Sequence, residues 1–244
     1  MQELMFDFQK FNDEGFIVHP EVSFEKSREC FDEGESGTLK ISEIIKHRRK
    51  LISGAPVAEI RFEVFDNADF RNSGNSMCRA ANNVSDDCRR AISALINYAS
   101  GNYSEDESGD CGLELLDLRQ RDYIQSCFDE NDGMHKSKRE RASCTVNISF
   151  FYIYPDFQNT EIAVYVLENL SSIMKQYFNS YPYYAVIAPQ PYMLVVKGKK
   201  VRWELNKDFV EKAEMMDMLE ANGFIEIGGG CFARNYGKEE ICLC

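Results

Sequence analysis

Residues 144–163, CTVNISFFYIYPDFQNTEIA, decide the fold of this chain. Cys144, Val146 and Ile148 alternate with polar neighbours, and from Phe150 to Tyr154 the run becomes continuously apolar. A strand that is apolar on both sides is a central strand covered on both faces. Pro155 closes it, because proline has no N–H to give to a ladder. A short polar turn follows, and from about Thr160 to Phe178 the spacing becomes helical. Ile162, Ala163, Val166, Leu167, Leu170, Ile173, Met174 and Phe178 mark the buried side. Strand, turn and amphipathic helix in this order predict an α/β protein.

Upstream, VAEIRFEVF (57–65) alternates cleanly, with Ala58, Ile60, Phe62 and Val64 on one side and Glu59, Arg61 and Glu63 on the other. This is the pattern of a half-exposed strand. A Gly/Asn/Ser-rich loop is expected over 66–84. Ser85 then reads as an N-cap, with Asp86 and Asp87 in a favourable first turn. Cys88, Ala91, Ile92, Leu95, Ile96 and Ala99 form one helical face, and Gly101 ends it. An acidic Gly-rich loop (101–112), two strands (113–118 and 123–128) and a cationic loop bearing Lys136, Lys138, Arg139 and Arg141 lead to the central strand.

Downstream, a short apolar strand over 184–188 is broken by Pro189 and Pro191. MLVVKGKKVRWEL (193–205) reads as a hairpin turning at KGKK. Asn206 can cap a helix over 207–221 that buries Phe209, Val210, Ala213, Met216 and Leu219, with Gly223 at its C′ position. FIEIGGG and CFARN are two further strands, and GGG (228–230), with no helix after it, is a turn or bulge. Residues 1–55 read as an N-terminal extension and 56–244 as the main domain. Within the extension, Ile41, Ile44, Ile45, Leu51 and Ile52 lie at near-helical spacing, so a short helix is expected over 38–52. It carries Lys46-His47-Arg48-Arg49-Lys50, the densest positive charge of the chain, either a solvated helix face or a contact for an anion or RNA.

The 244 residues carry 28 Lys plus Arg against 40 Asp plus Glu, a net charge of −12. That balance opposes a general nucleic-acid coat or adhesion to anionic lipid, and leaves local RNA contact only to residues 46–50 and 136–141. The nine Cys show no CxxC pair and the three His are scattered, which predicts free thiols in a reducing compartment and no metal site. No apolar run approaches the roughly 20 residues of a membrane span. Without a signal-like N-terminus, the expectation is a cytoplasmic protein.

The strand–turn–helix junction resembles the acetyl-CoA motif of the GCN5-related N-acetyltransferase (GNAT) superfamily. Tyr154-Pro155-Asp156-Phe157-Gln158 and Ala163 match its spacing after the family's fourth strand. YYAVIAP (183–189) resembles the fifth strand, and MLEANGFIEIG (218–228) resembles the end of helix four, Gly-Phe and the sixth strand. The resemblance spans about residues 56–244 and includes the order of elements. It implies a GNAT-like, mostly antiparallel sheet flanked by helices. It also implies acetyl-CoA held by Tyr152, Ile153, Tyr154, Phe157, Gln158, Asn159, Thr160, Glu161, Ile162 and Ala163. The acceptor would be an amine of a small molecule, peptide or aminoacyl-tRNA. An oxyanion would rest on a backbone N–H of the fourth strand.

Two positions depart from the pattern. Glu161 stands where the family has a loop glycine; it would repel a phosphate about 6 Å away by roughly 2–3 kcal/mol at an effective dielectric near 20, or it simply favours the helix start. Leu219 occupies the place of a tyrosine general acid. General acid–base chemistry needs a titratable group beside the substrate. The central strand offers Ser149, Tyr152 and Tyr154 but no carboxylate; Tyr184 and Tyr192, flanking the fifth strand, could replace the missing acid but read first as packing residues, and Cys144 reads as core. The competing expectation is therefore a catalytically degenerate GNAT-fold protein that serves as a binding or regulatory module.

Overall fold

The computed structural model describes residues 10–11, 17–18, 22–31, 34–47, 50–67, 77–99, 143–158, 161–178, 181–190, 192–197, 200–205 and 209–236. The first strands are β1 (Lys10–Phe11), β2 (Ile17–Val18), β3 (Val22–Phe31), β4 (Gly34–His47) and β5 (Lys50–Asp66). Helices α1 (Met77–Val84) and α2 (Asp86–Ala99) precede β6 (Ser143–Ile153), and a 3-10 turn (Pro155–Phe157) leads to α3 (Ile162–Glu168) and α4 (Leu170–Phe178). The chain continues with β7 (Tyr181–Ile187), the hairpin β8 (Tyr192–Lys197) and β9 (Lys200–Leu205), α5 (Phe209–Ala221), β10 (Ile225–Gly228) and β11 (Cys231–Asn235).

Seven strands form one sheet in the order β10-β11-β7-β6-β5-β4-β3, while β1-β2 and β8-β9 pair apart from it. Every neighbouring pair in the large sheet is antiparallel except β6-β7. Parallel neighbours need a crossover, and α3–α4 supply it. The protein is thus mixed α/β with a mostly antiparallel sheet, and β6 is its middle strand.

Both faces of β6 are covered. On one, Ala58, Ile60 and Phe62 of β5 join Val146, Ile148 and Phe151 of β6 in a core with Ile162, Val166, Leu167, Ile173, Met174 and Phe178 of α3–α4 and with Leu219 of α5. On the other, α1 and α2 bury Met77, Cys88, Ile92, Leu95 and Ile96 against Phe65, Tyr184, Val186 and Ala233. Ser85 caps α2 by accepting the Cys88 amide at 3.0 Å, and Gly223 ends α5 at φ +75°. Arg234 of β11 donates through Nη1 to the carbonyls of Leu167 and Asn222, at 3.3 and 2.8 Å, and so ties the C-terminal ends of α3 and α5 to the sheet.

Several expectations need correction. Residues 38–47 and 50–52 are extended, not helical. Leu39 and Ile41 are buried beside an exposed Lys40, the period-2 signature, and register shifts between Ile41 and Ile44 reset it. That irregularity imitates a helical spacing of isoleucines. The boundary drawn at 55/56 falls inside β5, and β3 and β4 are members of the same sheet. The supposed loop 66–84 contains α1, whose Met77, Cys78, Ala80 and Ala81 are buried. The helical stretch expected over 160–178 is present but interrupted at Asn169, at φ −100° and ψ 13°, where the side-chain amide and the backbone N–H both donate to the Tyr165 carbonyl. In α5, Ala213 is exposed, and only Leu219 of the described part of the expected face is fully buried. The strands expected at 113–118 and 123–128, the acidic loop 101–112 and the cations at 136–141 lie outside the described residues, as do the side chains of residues 46–50.

Candidate functional site

The parallel pair defines the site. The β6-β7 ladder runs from Ser143↔Tyr181 to Ile148↔Ile187 and stops there, whereas β6 continues to Ile153 against β5. Over residues 149–153, no strand among the described residues lies on the β7 side of β6. Open α/β sheets bind ligands at such carboxyl ends of strands, where the topology changes. The parting coincides with a bulge: Arg61↔Phe150 is followed by Phe62↔Ile148, so Ser149 is an extra residue on β6. Bulges re-aim side chains and backbone groups and recur beside functional sites.

The register collects polar side chains at this point. Pairs Glu59↔Tyr152, Arg61↔Phe150 and Glu63↔Asn147 share one face, and Lys40, Thr38 and Ser36 continue the three rows on β4. Glu59 and Glu63 are only 7% and 8% exposed. This corrects the half-exposed strand of the sequence: the strand is there, but its carboxylates face inward. Glu59 is compensated by Arg61, whose Nη2 lies 2.6 Å away and whose guanidinium stacks on Phe150 at 4.6 Å from the ring centroid. Tyr152 meets Tyr154 edge to face at 5.3 Å. Burial, and then the Glu59 charge, push the Tyr154 hydroxyl upward and keep it protonated.

Glu63 is held differently. Asn147 Nδ2 donates to its Oε2 at 2.6 Å and Ser149 Oγ donates to its Oε1 at 2.8 Å. Both donors are neutral, and among the described residues no cation reaches this carboxylate. Burial raises its pKa and the two side-chain hydrogen bonds restrain the rise. Cys88 of α2 stands near enough that burial, then the Glu63 charge, push its thiol upward, which makes it inert. Ser149 itself is exposed. A solvent-facing hydroxyl is thereby joined to a buried carboxylate at the place where β6 and β7 part.

The residues singled out for cofactor binding divide. Tyr152, Ile153 and Tyr154 end β6; Phe157 is buried in the 3-10 turn, and Gln158 follows it, exposed. Glu161 is the N-cap of α3, exposed and without a capping hydrogen bond from its side chain; Ile162 and Ala163 point into the core. Asn159 and Thr160 lie outside the described residues. Leu219 is wholly buried, so its position holds no acid. Tyr184 is buried against Tyr183, in keeping with packing, and Cys144 lies in the core.

Sequence reasoning missed Glu63. The signal was the alternation of β6 itself, which sets Asn147 on the face opposite Val146 and Ile148; a polar amide on a central strand needs a buried partner. Which strand supplies that partner is a matter of register.

No helix among the described residues is long and apolar enough to cross a membrane. Comparison with known proteins finds no family model, no curated protein and no solved structure that matches this chain.

Proposed function

We propose that this protein is a divergent GNAT-type acyltransferase that takes an acetyl group from acetyl-CoA to an amine of a small molecule, peptide or aminoacyl-tRNA. The observation that carries the proposal is the parting of the one parallel pair beyond Ile148↔Ile187, with β6 bulged at Ser149 and followed by the 3-10 turn and the α3–α4 crossover. The strand edge of residues 149–153 offers backbone groups to an extended amide-bearing chain, in the manner of strand addition. Gln158 and the turn around Pro155 follow the end of β6, where the motif resemblance puts the cofactor's phosphates. Acetyl-CoA supplies an activated thioester. The protein's own part is to orient it along β6, to offer a backbone N–H to the developing oxyanion and to receive the acceptor's proton.

Thermal unfolding with and without acetyl-CoA tests this. Ligand at about 100 times its dissociation constant adds roughly 2.7 kcal/mol, a rise of about 5–10 °C for a chain of this size. No rise at millimolar acetyl-CoA sinks the proposal.

A second reading, a binding module on the same scaffold, is favoured by a carboxylate, Glu161, where the motif resemblance expects a loop glycine, and by the apolar Leu219. Glu161→Gly separates the two. A working site that has turned this side chain to solvent keeps its acetyl-CoA affinity, and a degenerate one gains affinity.

A further inference from the structure

We infer that Ser149 and Glu63 form a proton relay for the acceptor. An amine arriving protonated meets the Ser149 hydroxyl, and its proton passes through Oγ to the Glu63 carboxylate. The inference deepens the acyltransferase proposal and rests on it for the identity of the acceptor. One proton leaves the ammonium, the hydroxyl exchanges one for another, and one arrives on Oε1; the amine is left neutral and nucleophilic.

Four observations converge. Ser149 is the first β6 residue beyond the last β6-β7 pair, it is the inserted residue of the bulge, and it is exposed. Its hydroxyl already donates to Glu63 Oε1 at 2.8 Å, so the path for the proton is in place. The other carboxylate oxygen is fixed by Asn147 at 2.6 Å, which leaves Oε1 as the receiving atom. A buried carboxylate with only neutral partners is costly, and such groups persist where they have work to do.

Among the described residues, the groups around the carboxylate add no competing charge. Along its own strand, Arg61 is engaged by Glu59. In its row, β4 presents Ser36, with Glu29 of β3 exposed beyond it, and β6 presents Asn147. From the helices, the neighbour is the neutral thiol of Cys88, with Cys78 behind it.

The first test needs no knowledge of the acceptor. In protein carrying carbon-13 in its glutamate side chains, Glu63 is assigned by its loss in Glu63→Gln, and its carboxyl is titrated by NMR. It should titrate above the exposed glutamates. Ser149→Ala should shift the midpoint further up by about 0.5–1 pH unit, because one hydrogen bond to the charged form is removed. A midpoint in the ordinary glutamate range, or one indifferent to Ser149→Ala, overturns the relay. With a primary amine that supports turnover, Glu63→Gln should lower kcat about 100-fold or more and abolish the acidic limb of the pH–rate profile, with Ser149→Thr partly restoring what Ser149→Ala loses. An unchanged profile overturns the relay too. The rise in Tm with acetyl-CoA should persist in Glu63→Gln. Its absence from the unaltered protein sinks the acyltransferase reading instead, and the titration then decides the Ser149–Glu63 pair on its own.

Discussion

On one side of the sheet, Ile60, Phe62, Ile148 and Phe151 fit against α3 and α4, and Phe62 meets Phe178 edge to face at 4.6 Å. On the other, the same two strands present Glu59, Arg61, Glu63, Asn147 and Ser149 within a few residues of one another. The strands are shared, so the difference lies in what each side is asked to do. The apolar side is held by shape and excludes water. The polar side meets hydrogen-bonding requirements in pairs, and it does so beside the point where β6 loses its neighbour.

Substitutions can break that contrast. Phe62→Ala should be the most damaging, at about 3–5 kcal/mol, since a buried ring leaves a cavity that the packed helices cannot fill; chemical denaturation measures it, and a loss below about 1 kcal/mol would mean that the apolar side is loosely packed. Gly37→Ala comes next. A Cβ there would lie 2.6 Å from Cε2 and Cζ of Phe62 and 3.0 Å from Phe178, so the rings must shift at a cost of about 1–3 kcal/mol. Ser85→Ala removes the cap of α2 and should cost about 1 kcal/mol, read as a small fall in Tm.

Glu63→Gln should have the smallest effect at neutral pH, between no change and a gain of about 1 kcal/mol, because an amide replaces a charge that burial disfavours. Its pH dependence is the sharper reading. Burial makes the folded protein hold this proton more tightly than the unfolded chain does. The stability from Glu63 is therefore present in acid and is lost as pH rises through the folded-state pKa. Denaturant midpoints of the two proteins should draw apart in favour of Glu63→Gln from acid towards neutral pH. Parallel curves would mean that Glu63 is solvated like a surface acid.

What the residues disclose on their own follows the same division. The apolar elements were legible because periodicity is local: the strand 144–154, the cap at Ser85, the 193–205 hairpin and the glycine after α5 are all readable within a dozen residues. The extended conformation of 38–47 and 50–52 was not, because Ile41, Ile44 and Ile45 are spaced as on a helix and a register irregularity in β4 accommodates that spacing. α1 was hidden by Asn82 and Asn83, whose low helix propensity is overridden by packing against α2. The site was the least legible part. Glu63 sits in a clean polar alternation that ordinarily faces water, and only the pairing of β5 with β6 turns it inward.

That pairing also has a consequence in time. β3, β4 and β5 follow one another as hairpins, but Glu63 meets Asn147 across 84 residues and Thr145 meets Asn67 across 78. Closing so long a loop demands entropy that local contacts do not, so the β5-β6 seam should close after the β3–β5 meander has formed. Pulse-labelled hydrogen exchange during refolding should protect amides of β4 before those of β6, and the reverse order would refute it. The two halves of the Ser149–Glu63 pair lie on opposite banks of that seam. An incompletely folded chain holds the two residues apart, so the proposed relay can form only once the β5-β6 seam has closed.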